Sequence, residues 1–109
     1  AASDDSEPEP DLLVVPRSGY EHEHPSQAYL VIEVSESSLS KDRGLKARLY
    51  AECGAPEYWI VNLVDGCIEV RRNPARGAYQ TITRYGQGER IAIRAFPDVL
   101  IAVNDVIAF

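Results

Sequence analysis

Basic residues are scarce in this chain: Lys and Arg number 11 against 17 Asp and Glu, and the net charge at pH 7 is −6. Cations that neutralise phosphates supply most non-specific affinity for nucleic acid, so the charge balance argues against a broad basic face and leaves positive charge to act locally. The local candidates are Arg71, Arg72 and Arg76, which lie close together, and Arg84, Arg90 and Arg94 further along. Long apolar runs are lacking as well. None approaches the ~20 residues that cross a bilayer, and the start shows no charged-then-apolar leader, so a cytoplasmic location is expected. Cysteine is limited to Cys53 and Cys67, which sit singly in apolar surroundings without the CxxC or Cys/His spacing of a zinc or redox site. Both read as buried thiols that behave as small hydrophobes.

What is present suits one folded domain: 109 residues, of which 45% are apolar and 26% charged, well short of the composition of a disordered chain. Residues 1–10, AASDDSEPEP, carry four carboxylates and two prolines and nothing apolar larger than Ala, so they read as a flexible acidic tail. Residues 11–109 read as the single core domain.

Within that domain, DLLVVP predicts a short strand buried on both faces in mid-sheet, because it shows no alternation. Turn formers over residues 17–27 lead to a second apolar strand, AYLVIEVS. The serines of SESSLS offer N-caps for a helix from about Lys41 to Cys53, with Asp42 suited to its positive end and Gly54 to the left-handed position after it. At ~100° per residue, Asp42, Leu45, Lys46, Leu49 and Cys53 share a core-facing stripe, while Arg43, Ala47, Arg48 and Ala51 point elsewhere. EYWIVNL is a third strand, and Asp65-Gly66 signals a two-residue hairpin into CIEVRR. NPARG turns the chain into AYQTITRY. The later segments IAI, DVLIAV and DVIAF resist assignment. The order implies an α/β or α+β domain with a mixed sheet and one principal helix. One helix covers one face only, so the second face is expected to need a partner subunit or a further N-terminal segment.

Asp11 opens one strand and Glu33 lies inside the next, so neighbouring strands would bring the two carboxylates to a common edge. Hard cations such as Mg²⁺ are held by one or two carboxylates with water and phosphate, and Lys46 arrives from the following helix. Taken alone, a buried Glu33 and Lys46 read first as a core ion pair. His22 and His24 have HxH spacing but loop-like surroundings, Glu7 and Glu9 belong to the tail, and Tyr50, Tyr58 and Trp59 read as core aromatics, Tyr50 sharing an edge with Lys46.

The balance shifts on a resemblance. EPEPDLLVV, AYLVIEVSESSLSKDRGLKARLYAECGAPEYWIV and EVRRNPARGAYQ resemble the Uma-type restriction endonuclease family, a PD-(D/E)XK branch of the restriction-endonuclease-like superfamily. The likeness runs over nearly the whole chain from Glu7. It implies a metal-dependent endonuclease acting on nucleic acid, DNA foremost, with Asp11 after Pro10, Glu33 and Lys46 as the catalytic trio. Asp11, Glu33 and the backbone carbonyl of Val34 would then bind Mg²⁺ or Mn²⁺. In the superfamily pattern the Lys stands two residues after the Glu. Here that position is Ser35, so the role passes to Lys46, four residues after Asp42. Family members carry an N-terminal helix and strands ahead of the PD step, so the resemblance implies that this chain is similar to a C-terminal portion. The other readings are a non-catalytic module of the same fold serving assembly or nucleic-acid binding, and a homodimer formed through the exposed sheet.

Overall fold

The computed structural model describes residues 10–16 and 28–109; Glu7, Glu9, His22 and His24 lie outside them. A five-stranded mixed sheet in the order β1-β2-β3-β4-β5 forms the centre, with a two-stranded sheet, β6-β7, against it. The strands are β1 (Leu12–Val14), β2 (Leu30–Ser35), β3 (Glu57–Asn62), β4 (Cys67–Ala75), β5 (Ala78–Tyr85), β6 (Arg90–Ile93) and β7 (Phe96–Ala102). Among the described strand pairs only β2 and β3 run parallel, joined by a helical crossover as parallel neighbours require. The fold is α+β with a mixed sheet and one main helix, as expected, and it is compatible with the restriction-endonuclease-like architecture.

The crossover runs without a break through α1 (Leu39–Lys41), a π turn (Asp42–Lys46) and α2 (Ala47–Glu52). Gly54 follows at φ 83°, with Ala55 N–H bonded to the Tyr50 carbonyl and Gly54 N–H to that of Ala51. This is the Schellman arrangement that the glycine predicted. The predicted stripe is corrected. Leu45 is exposed, while Ala47, Tyr50 and Ala51 are buried against the sheet. The wider π turn adds a residue between successive core contacts, Asp42 and Ala47, and alanines let the helix approach the strands closely.

Helix and sheet enclose one apolar cluster, which includes Val31, Tyr50, Tyr58 and Ile60. A second cluster on the opposite face contains Leu30, Trp59, Val61 and Ile68 together with Ile91, Ile93, Val103 and Ile107. The expectation that this face needs an added segment is therefore corrected: β6, β7 and α3 (Val103–Val106) supply the cover. It is incomplete, leaving an apolar cleft of about 180 Å³ between β1, β2 and the C-terminal segment.

Three further expectations change. β1 is an edge strand rather than a central one, and Leu12 is 58% exposed. Asn62 pairs with Cys67, so the β3–β4 connection has four residues, not two. Its shape is set by Asn62, whose Oδ1 accepts the N–H groups of Val64 and Asp65 at 3.0 Å each, the local bond that makes Asn a turn former. Cys67 is buried as expected, but Cys53, at the helix end, is half-buried.

The second sheet is tied to the first through Glu57, fully buried on β3. Its Oε2 accepts Trp59 Nε1–H at 2.8 Å and Arg72 Nε–H at 2.8 Å, and its Oε1 accepts the N–H of Arg94 at 2.9 Å. Arg72 also donates to the Ala92 carbonyl at 2.6 Å. A carboxylate this deeply buried is tolerated only with such bonds. Glu57→Gln keeps the shape but sets an amide against several donors, and is expected to lower stability by about 2–3 kcal/mol in urea unfolding.

Candidate active site

The site is assembled by register. β1 lies antiparallel to β2 with Leu12 opposite Ile32, so the next step sets Asp11 beside Glu33 at the open end of the pair. Asp11 stays at the surface, where its Oδ2 accepts the backbone N–H of Val34 at 2.7 Å. Glu33 points the other way from Val34, as alternation requires, and enters the space between sheet and helix, where it is 2% exposed.

Burying that carboxylate would be costly without partners, and the helix supplies two. Tyr50 O–H donates to Glu33 Oε2 at 2.5 Å, and Lys46 Nζ lies 3.2 Å from the same oxygen. Both bonds converge on Oε2, so Oε1 is outside them. Burial pushes the Glu33 carboxyl above its usual range; Tyr50 and Lys46 pull against it, and the nearby Asp11 charge adds to the rise. The Tyr50 hydroxyl is itself pushed well up by burial and by its bond to Glu33, so it stays a donor.

Lys46 is held from two sides. Its Nζ lies 3.5 Å from Asp42 Oδ1, one helical step before it. Burial would lower the ammonium's pKa, but Glu33 and Asp42 outweigh this and hold it above the ordinary lysine value. Asp42 is 1% exposed. Ser38 Oγ–H donates to its Oδ2 at 3.1 Å, and Tyr58 O–H to its backbone carbonyl at 2.9 Å.

The predicted trio, Asp11, Glu33 and Lys46, is thus gathered at one end of β2. Tyr50 and Asp42 are contacts the sequence reading did not assign. A tyrosine four residues after Lys46, facing a glutamate stranded in an apolar strand, was the available signal. Ser35 is fully buried, and its hydroxyl has no hydrogen-bond partner among the described residues; the ammonium beside Glu33 comes from the helix.

The arginine cluster does not persist in space. Alternation along β4 sends Arg71 to Glu69 at 3.0 Å and Arg72 to Glu57 at 2.7 Å on the opposite face. Arg43 also pairs with Glu69, and Arg84 lies 3.4 Å from Asp65. Burial alone would raise the Glu69 carboxyl, but Arg43 and Arg71 hold it below the usual range. Among the described residues, no group of three or more His, Cys, Asp or Glu is placed to hold a metal ion.

Residues 2–104 match the family model Uma2, described as "Putative restriction endonuclease". The chain belongs to the Uma2 family. The Uma2 match spans Asp11, Glu33 and Lys46 as well as Asp42 and Tyr50, and it brings with it a nuclease-like function. No curated protein matches the chain, and among the described residues no helix is long and apolar enough to cross a membrane. The arrangement offers two carboxylates, at the rim and just inside it, and a charged ammonium fixed beside the inner one. Hard oxygens are the donors that hard cations take, and an ammonium is the kind of charge that meets a phosphoryl group.

Proposed function

We propose that this chain carries a metal-dependent endonuclease site that hydrolyses phosphodiester bonds of nucleic acid, DNA foremost. The observation that carries the reading is the convergence of Asp11, just ahead of β1, Glu33 on β2 and Lys46 on the helix at one open end of the sheet. Asp11 and Glu33, with the backbone carbonyl of Val34, would hold Mg²⁺ or Mn²⁺. Two observations favour the fit. The donors are hard oxygens, few enough for a cation that keeps several waters, and the Asp11 charge opposes ionisation of the buried Glu33 carboxyl, a conflict that a divalent cation relieves. When bound, the ion supplies Lewis-acid polarisation and an activated water. Lys46 would position the nucleophile or meet charge developing on phosphorus, and Tyr50 keeps Glu33 in place.

The experiment is a calorimetric Mn²⁺ titration of the chain beside its Asp11→Asn variant, followed by cleavage assays on single- and double-stranded DNA. Binding to the parent that Asp11→Asn weakens at least tenfold, followed by cleavage, is the expected result. A chain that binds no Mn²⁺ and leaves both DNAs intact would sink the reading.

A second reading rests on the apolar cleft, whose lining includes Leu12, Val34 and Val106, exposed at 58%, 42% and 42%. Exposed apolar patches mark interaction surfaces, and this one favours a module that assembles with a second copy. Light scattering at high concentration tests it; a strict monomer counts against it.

A further inference from the structure

The proposed site sets one carboxylate two tasks. Glu33 must bind a cation, yet it is also one of the two anions that hold Lys46. A divalent ion on Glu33 cancels the negative charge that attracts the ammonium, since attraction depends on the local charge. Unless a second anion holds Lys46, loading the site would release the lysine it needs.

We infer that Asp42 is the positioning residue that keeps Lys46 at the site while Glu33 serves the metal. The inference rests on the proposed metal-dependent reading and extends it to a residue with no place in the trio. Each part of Asp42 suits it to be a fixed seat. It is 1% exposed, so water screens its charge poorly. Oδ2 is held by the Ser38 hydroxyl. Oδ1 is buried with no hydrogen-bond partner among the described residues, and it faces Lys46 Nζ at 3.5 Å. The backbone at this position is held by Tyr58, at the start of the π turn that ends on Lys46. π turns inside α-helices occur frequently at functional sites. Among the described residues the anions paired with the ammonium are Glu33 and Asp42; the Tyr50 and Tyr58 hydroxyls bond to Glu33 and to the Asp42 carbonyl, and neither tyrosine carries charge to replace an aspartate.

Glu33→Gln imitates the neutralised glutamate without any metal, and this makes the inference testable apart from catalysis. Lys46 exposure is read by acetic anhydride labelling and mass spectrometry of the whole chain. Glu33→Gln alone is expected to leave Lys46 protected. Adding Asp42→Asn should raise its labelling roughly fivefold, the population change of a modest ion pair. Ser38→Ala in the Glu33→Gln background loosens the seat without removing it, and should shift labelling in the same direction by less, which guards against a double variant that fails to fold. If Glu33→Gln alone releases Lys46 fully and Asp42→Asn adds nothing, the inference is overturned.

The catalytic arm separates positioning from structure. Asp42→Asn should lower kcat on DNA roughly tenfold or more with KM and Mn²⁺ affinity unchanged, and should cost nothing further in a Lys46→Ala chain. Loss of Mn²⁺ binding in Asp42→Asn would instead make Asp42 a ligand and overturn the assignment. A chain that shows the labelling effect but cleaves no DNA retains the seat while refuting the nuclease reading.

Discussion

Lys46→Ala is expected to reduce DNA cleavage by roughly 10²–10³-fold, the cost of removing one preorganised group that meets developing charge, while Mn²⁺ still binds. The same substitution should weaken the metal-free fold. Without the ammonium, Glu33 and Asp42 remain buried with no cation between them, and a broken buried pair is strongly destabilising. The full penalty is not expected, because burial already raises the Glu33 carboxyl and protonation is a ready escape. A loss of about 2 kcal/mol in urea unfolding is therefore anticipated, partly recovered with Mn²⁺, whose charge replaces the missing ammonium. Two measurements decide the matter: cleavage rate at saturating Mn²⁺, and the unfolding midpoint with and without the ion. Retained cleavage would remove the lysine from the mechanism. A loss of cleavage with no recovery of stability on adding Mn²⁺ would make Lys46 a structural counter-ion and nothing more.

The legible parts of the molecule were those set by local chemistry. Gly54 ends the helix because only a residue at ease at positive φ does so cheaply, and the apolar run EYWIVN became the fully buried strand at the sheet's centre. Glu33 could be picked out as needing a partner because Leu30, Val31, Ile32 and Val34 around it on β2 are apolar. What the sequence concealed depends on phase and on distant contacts. A π turn shifts the buried face of the helix, so the assumption of 100° per residue put Leu45 inward and Ala47 outward, the reverse of what the structure has. Whether β1 lies at the edge or in the middle is decided by which strands pair, and DLLVV suits both. The cover on the second face comes from Ile91, Ile93, Val103 and Ile107, far along the chain from Trp59, in short apolar stretches that carry no clear periodicity. Arg71 and Arg72 are adjacent in the chain but sit on opposite faces, which strand alternation explains once both are known to lie in β4.

Glu33→Gln is expected to separate the demands of folding from those of function, and it does so through pH. A carboxyl whose native pKa is raised contributes stability that is fully present below its unfolded value, 4.5 for glutamate, and lost as pH rises through the higher native value. Ionised Glu33 therefore weakens the metal-free fold at neutral pH, despite Tyr50 and Lys46. Glutamine, neutral throughout, escapes this while keeping an oxygen for the tyrosine, and Asp42 still faces the ammonium. The metal-free variant should accordingly melt at or above the parent at pH 7, with the difference shrinking toward pH 4. With Mn²⁺ the order should reverse. Binding to the folded state alone stabilises the parent by about 2.7 kcal/mol at a hundredfold excess over Kd, and Glu33→Gln should gain none of it. Because a cation takes the ionised carboxylate, parent affinity should also rise with pH across the native titration of Glu33, releasing protons that calorimetry in buffers of different ionisation enthalpy can count. A variant that loses stability at pH 7 without metal, and keeps its response to Mn²⁺, would make Glu33 half of a structural ion pair and move the metal site elsewhere.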